Sequence, residues 1–334
     1  MTSNPDGGHE HANNTGPVDG NVIQACQVGV VNLHPTREPD TPAAESPPPT
    51  WTPLKVLKAA GVAVLILAGS SLLPSPPDPD AIPPENGTRP AGSSNEAVLT
   101  AVQAGLASCA RTQVLQQANC PQKIDDPTGQ ATDVHWTLHG NPIGGTYGPI
   151  WNNDRFYVAG YAVMTVTYTS PYRVPSPQSL TIQEVPYRAE ITWTDNKPTV
   201  TDLRRYDKID NSRVTKKDPA LPPAQLASAL RTAFHKCVAA KRSPMPPQCP
   251  SSPTAQPSDH ATWTLNNDPL LGTKQTFDPK TGLTHITGSY STTATTQNDF
   301  LGIHYSATTT DSGTYDASLT ATGPTPEILQ IKSL

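Results

Sequence analysis

The chain has 334 residues, a formal charge of −5 and 38 prolines. That length would suit two or three domains, but so much proline means that part of the chain is not packed. The positive residues are scattered, with no basic face to follow a phosphate backbone, so no nucleic-acid partner is expected.

Residues 1–50 are rich in Pro, Asn, Gly and Thr and carry six acidic residues against one basic residue, Arg37, so they are expected to form a disordered tail. Gly20 to His34 stands apart: it is free of proline, almost uncharged and rich in β-branched residues. Copies of such a segment can stack in register, with Gln24, Gln27 and Asn32 in amide ladders and Ile23 and the valines in a dry zipper. Thr15, Gly16, Val18, Gly20, Val22, Ile23, Gln24, Ala25, Val28, Gly29, Val31 and His34 resemble the RHIM-like amyloid-signalling motifs of actinobacteria over residues 13–34. Cys26 departs from the pattern, standing where that family usually has Gly at the bend of each fibril layer. The resemblance implies a self-assembly motif whose partners are other chains bearing the same motif, such as a nucleotide-binding oligomeric receptor.

At 51–73 the composition changes. Leu54 to Leu73 is apolar except for Lys55, Lys58, Ser70 and Ser71, and it stops at Pro74. A helix of that length spans about 30 Å, the thickness of a bilayer core, and predicts a single transmembrane helix. Trp51 suits an interfacial anchor. Lys55 and Lys58 can reach the membrane surface and, with Arg37, are expected to hold the N-terminus in the cytoplasm and the C-terminal part outside it. The alternative is a late signal peptide, with Val62 to Ala68 as its apolar stretch and Ala68-Gly69-Ser70 as its cleavage site.

Residues 74–94 hold seven prolines and predict a semi-rigid polyproline stalk. Beyond it the sequence repeats with a period of about 128 residues. Cys109 and Cys120-Pro121 recur as Cys237 and Cys249-Pro250, and Trp136-Thr137-Leu138 recurs as Trp263-Thr264-Leu265. Gly160 and Tyr161 correspond to Gly288 and Tyr290. Tyr187, Ala189, Ile191, Thr192, Thr194, Pro198, Val200 and Leu203 match Tyr315, Ala317, Leu319, Thr320, Thr322, Pro326, Ile328 and Ile331 without a gap. The copies are placed at 95–206 and 222–334, joined by a linker at 207–221.

Each copy reads as one helix followed by four or five alternating strands. The predicted fold class is α+β: a helix packed on a curved antiparallel sheet, in tandem behind the transmembrane helix. The pattern resembles the NTF2-like or cystatin-like domains of Gram-positive membrane proteins, in tandem as in some conjugation-machinery proteins. That resemblance covers architecture only.

The cysteines fall in one pair per copy, predicting disulfides Cys109–Cys120 and Cys237–Cys249. Each would contribute about 3 kcal/mol by loop-entropy reasoning. Zinc is the competing reading, but the spacing and the lack of recurring histidines do not match its usual clusters. No nucleophile elbow, metalloprotease helix motif, P-loop or dinucleotide fingerprint is present, and neither an enzyme nor a cofactor is expected. Asp133 and His135 lie at different offsets from Trp136 than Asp259 and His260 do from Trp263, so these pairs read as surface turn residues. The two tryptophans read as strand residues of the core, with ligand stacking as the alternative.

The chain is therefore expected to be a membrane signalling or adaptor protein. Its tail assembles through the 13–34 motif and is coupled to two extracytoplasmic domains whose ligand or protein partner is unknown. The alternative is a cell-envelope scaffold or binding module, contacting wall polymer or a secretion or division complex, with an incidental tail.

Overall fold

The structure is a computed structural model whose described residues are 81–126, 129–171, 178–250, 257–300, 303–321 and 326–334. Helix α1 (Asn95–Cys109) begins at Ser94, whose side chain accepts a hydrogen bond from the Ala97 amide at 3.1 Å. Val98, Val102, Leu106 and Cys109 follow at helical spacing and form its buried face. Five antiparallel strands come next: β1 (Thr132–His139), β2 (Tyr147–Asn152), β3 (Arg155–Thr169), β4 (Gln178–Thr194) and β5 (Lys197–Arg205). Their order is β1-β3-β4-β5, with β2 also paired to β3.

After a short 3-10 turn at Asn211–Arg213, helix α2 (Pro223–Val238) buries Leu226, Leu230, Phe234 and Cys237. Proline suits its first turn, where no amide partner is lost. The second sheet holds β6 (Ala261–Leu265), β7 (Lys274–Phe277), β8 (Thr284–Phe300), β9 (Ile303–Ala321) and β10 (Pro326–Ser333). Its order is β10-β9-β8-β6, with β7 paired to β8.

The expected α+β class is corrected by this architecture. Strand makes up 48% of the described residues and helix 15%, so the fold is mostly curled antiparallel sheet. The difference comes from strand length. The Thr-rich run read as Ser291 to Thr296 belongs to β8, which keeps register with β9 from Thr284↔Leu319 to Phe300↔Ile303. β-Branched threonines suit a pleated surface, and each finds a cross-strand neighbour there.

The single-pass membrane assignment is corrected as well. The helix expected at 51–73, with Trp51, Lys55 and Lys58, lies outside the described residues. Among the described residues no helix is long and apolar enough to cross a membrane. The two disulfides point to an extracellular or otherwise oxidising environment for this part of the chain. Residues 81–94, the described part of the expected stalk, lie against the first copy: the Asn86 amide donates to the Trp151 carbonyl at 2.8 Å, and Arg89 donates to the Pro149 carbonyl at 3.1 Å.

The recurring landmarks occupy matching places in the two cores. Trp136 and Trp263 are buried, and each indole donates to a carbonyl inside its own disulfide loop: Val114 at 2.8 Å and Arg242 at 3.0 Å. Tyr187 and Tyr315 are fully buried and donate to the Pro142 and Pro269 carbonyls at 2.9 and 2.6 Å.

The two copies also pack against each other. On the first sheet, the face turned away from α1 carries Val163 and Ile182, which join Leu283 and Leu329 of the second copy in one apolar cluster. Around it, Lys280 pairs with Glu184 at 2.9 Å and His139 approaches Glu327 at 3.4 Å. The linker locks the seam: the Thr215 amide donates to the Gly145 carbonyl at 3.0 Å and the Lys216 amide to the Pro279 carbonyl at 2.6 Å. A Cβ on Gly145 would sit 2.2 Å from the Thr215 carbonyl oxygen, and its φ is +66°, so only glycine fits this contact.

Candidate functional site

A groove of about 720 Å³ runs between α2 and β10 in the second copy. Helix α2 turns Leu226, Leu230 and Phe234 into the core, which leaves the adjoining stripe of Ala229, Thr232, Ala233 and Lys236 along the groove wall. Strand β10 supplies Glu327, Ile328 and Ile331 on the other side. The Cys237–Cys249 disulfide ties the end of α2 to the loop that supplies Gln248. Beneath, Phe234 stacks edge-on against Tyr315, with ring centroids 5.1 Å apart. The groove thus has an apolar floor and a polar rim, the make-up of a site that holds a ligand by burial and orients it by a few polar contacts.

In the first copy the helix and strand of this seam meet closely at a glycine. Matching the two helices through Cys109 and Cys237 sets Gly105 against Ala233, and matching Leu203 to Ile331 sets Val200 against Ile328. At Gly105 a Cβ would lie 3.3 Å from Leu203 Cδ2 and 3.7 Å from Val200 Cγ2, so helix and strand are already in contact there. The recurring cysteines fix the helix register in the sequence, but the meaning of this Gly/Ala difference appears only with the strand beside it.

A second cleft, of about 600 Å³, lies between the copies. Asp133 and His135 of β1 face it from one side and Arg242 from the other, with Arg242 donating to Gln178 Oε1 at 2.8 Å. Ser179, which also lines it, is buried, and its hydroxyl has no hydrogen-bond partner among the described residues. Asp133, His135, Asp259 and His260 are all exposed, and the two acid–His pairs are not brought together.

The expected site residues are distributed as follows. Cys109–Cys120 and Cys237–Cys249 are disulfides, with Cα–Cα distances of 5.5 and 5.6 Å. Trp136 and Trp263 are core residues, not stacking platforms. The assembly motif, from Gly20 through Val22, Ile23, Gln24, Ala25, Cys26, Val28, Gly29 and Val31 to His34, lies outside the described residues. Among the described residues no group of three or more His, Cys, Asp or Glu is placed to hold a metal ion.

No family model and no curated protein matches the chain. Among solved structures, an "Ntf2 like protein involved in plasmid conjugation" is a weak neighbour, at 7% identity over 61% of this chain and 77% of that one, with a TM-score of 0.16. At that TM-score the likeness carries no conclusion about fold or function.

Proposed function

We propose that this chain is a binding module rather than an enzyme, with a first copy that serves as scaffold and a second that receives a partner segment in the groove between α2 and β10. The observation that supports this is the groove along the α2–β10 seam, with Ala233 where the first copy has Gly105 in close contact with Leu203 and Val200. A groove with small residues on the helix side and isoleucines on an edge strand suits an apolar stretch of polypeptide or a ligand of similar girth. Residues 13–34, read as a self-assembly motif, would gather several chains, so that weak binding by each groove adds up to avidity.

A photo-crosslinking residue placed at position 229 tests the reading in the producing cells. A discrete adduct from position 229, absent when the same residue replaces the equivalent Ala101, is the expected result. Equal adducts from both positions would reduce the groove to ordinary surface.

A further inference from the structure

The second sheet has an edge that nothing among the described residues covers. Strand β10 pairs with β9 only from Ser333↔Tyr315 to Pro326↔Ala321, and the Leu334 amide donates to the Thr314 carbonyl at 3.0 Å. That bond comes from the β10 side, so Thr314 turns its backbone groups away from β8, and in an antiparallel pair every second residue does the same. His304, Ser306, Thr308, Thr310 and Ser312 therefore each direct an amide and a carbonyl outward. The far side of β8 agrees: Ser291 and Gln297, opposite Ser312 and Ser306, bond away from β9, with the Asn266 amide donating to the Ser291 carbonyl at 2.8 Å and the Gln297 amide to the His260 carbonyl at 2.9 Å. Among the described residues no backbone hydrogen bond reaches the outer edge between His304 and Ser312, and the outward residues are all exposed.

Sheet edges that must stay single are blunted by a proline, a lysine or a bulge. Strand β9 contains neither proline nor lysine, and its register with β8 runs without a shift from Thr284↔Leu319 to Phe300↔Ile303. In the first copy Glu184 and Pro186 stand where the second has Ser312 and Thr314; Glu184 is taken by Lys280, and Pro186 has no amide to give. The side chains of the β9 edge leave its backbone clear, because they turn towards β8: the hydroxyls of Thr310 and Ser312 lie 3.0 and 2.8 Å from those of Thr293 and Ser291. At the near end Asp299 and His304 pair with each other across the strands.

An outward row of this kind is complementary to itself. With a two-fold axis through Thr308, antiparallel pairing sets Thr308 against the partner's Thr308, Ser306 against the partner's Thr310 and His304 against the partner's Ser312. Every outward amide in the row then meets a carbonyl. Moving the axis to Thr310 would set Ser306 against the Thr314 carbonyl, which Leu334 already occupies. On the other face Asp311 falls beside the partner's Tyr305 and Ala307 beside the partner's Thr309, so no like charges meet. We propose that two copies of this chain pair edge to edge along β9, joining their second sheets into one continuous antiparallel sheet. The contact is narrow, so the dimer forms with rising concentration and is not permanent.

Sedimentation equilibrium of the full chain carrying Gln24→Asp, so that the tail motif does not contribute, tests this, with amide exchange as the site-specific readout. A monomer–dimer equilibrium is expected. Exchange of the Ser306, Thr308 and Thr310 amides should slow as concentration rises, while that of Ala307 and Thr309, which bond to β8, stays unchanged. Thr308→Pro removes an amide that no strand of its own chain uses and should weaken dimerisation about tenfold or more. Thr308→Lys, which sets two ammonium groups face to face at the axis, should do the same and guards against misfolding of the proline variant. Thr262→Lys, an exposed change on β6 at the opposite edge of the sheet, should leave the dimer intact. A chain that stays monomeric at every concentration, its edge then being left to a strand of another protein, would overturn the proposal. So would a dimer indifferent to both Thr308 substitutions, or one lost equally in Thr262→Lys.

Discussion

Gly288 lies directly across the β8–β9 pair from Tyr315, and a Cβ at Gly288 would stand 2.6 Å from the tyrosine hydroxyl. Gly160 and Tyr187 face each other in the same way on β3 and β4, with a Cβ at Gly160 falling 3.0 Å from that hydroxyl. In each copy the glycine leaves the space through which a buried phenol reaches a proline carbonyl.

Gly288→Ala should therefore destabilise the second copy by about 1–3 kcal/mol through overpacking. Tyr315→Phe should cost about 1 kcal/mol, because the Pro269 carbonyl loses its buried donor. Urea unfolding of the two variants checks both values. The glycine variant with full wild-type stability would show that the tyrosine has room to move.

Burial pushes the Tyr315 phenol from 10.0 up to about 12. Burial also raises Tyr187. A raised folded-state value means that the unfolded chain releases its proton first, so this contribution to stability is complete below pH 10 and is lost as pH rises towards about 12. Thermal melts between neutral pH and pH 12 should show a steep fall in that window, shallower in Tyr315→Phe. Equal slopes for the two proteins would mean that other groups control alkaline unfolding.

The apolar contact between the copies should outweigh the ion pair beside it. Leu283→Ala and Leu329→Ala each remove a buried side chain, with an expected cost of about 2–3 kcal/mol. Lys280→Ala removes a partly exposed pair with Glu184 and should cost under about 1 kcal/mol. Protease cutting of linker 207–221, together with the number of unfolding transitions, distinguishes the two. The double leucine variant should unfold in two steps, and a single unchanged transition would show that the copies are not coupled through this cluster.

If residues 13–34 assemble as proposed, Gln24→Asp should abolish that assembly. In an in-register stack the carboxylates would sit about 4.8 Å apart and repel by about 3 kcal/mol per neighbouring pair at an effective dielectric near 20. A fluorescently tagged 1–50 fragment should form thioflavin-positive foci that the substitution removes. Foci that persist would make the tail a linker.

What the sequence reveals about the fold is what chemistry ties to residue type. The cysteines, Trp136 and Trp263, and Tyr187 and Tyr315 recur because a disulfide loop, an indole donor and a buried phenol tolerate few replacements. The extent of sheet was under-read because β8 and β9 run through Ser, Thr, Gly and Asp with few apolar residues to mark their length. The seam between the copies depends on Val163, Ile182, Leu283 and Leu329, whose pairing is tertiary and leaves no local pattern. The groove turns on a Gly105/Ala233 difference that has meaning only once helix and strand are placed side by side.

The central claim is that the groove lined by Ala233 is where a partner sits, and filling it is the direct test. Ala233→Trp places an indole in the groove beside Thr232, Ile328 and Ile331, with no change to the first copy. The measurement is the yield of the adduct from position 229 in this variant, beside Thr308→Val, a change at an exposed β9 residue outside the groove, with folding monitored by retention of both disulfides. A yield reduced to background in Ala233→Trp and unchanged in the control is the predicted result. Undiminished crosslinking from a correctly folded Ala233→Trp chain would contradict it.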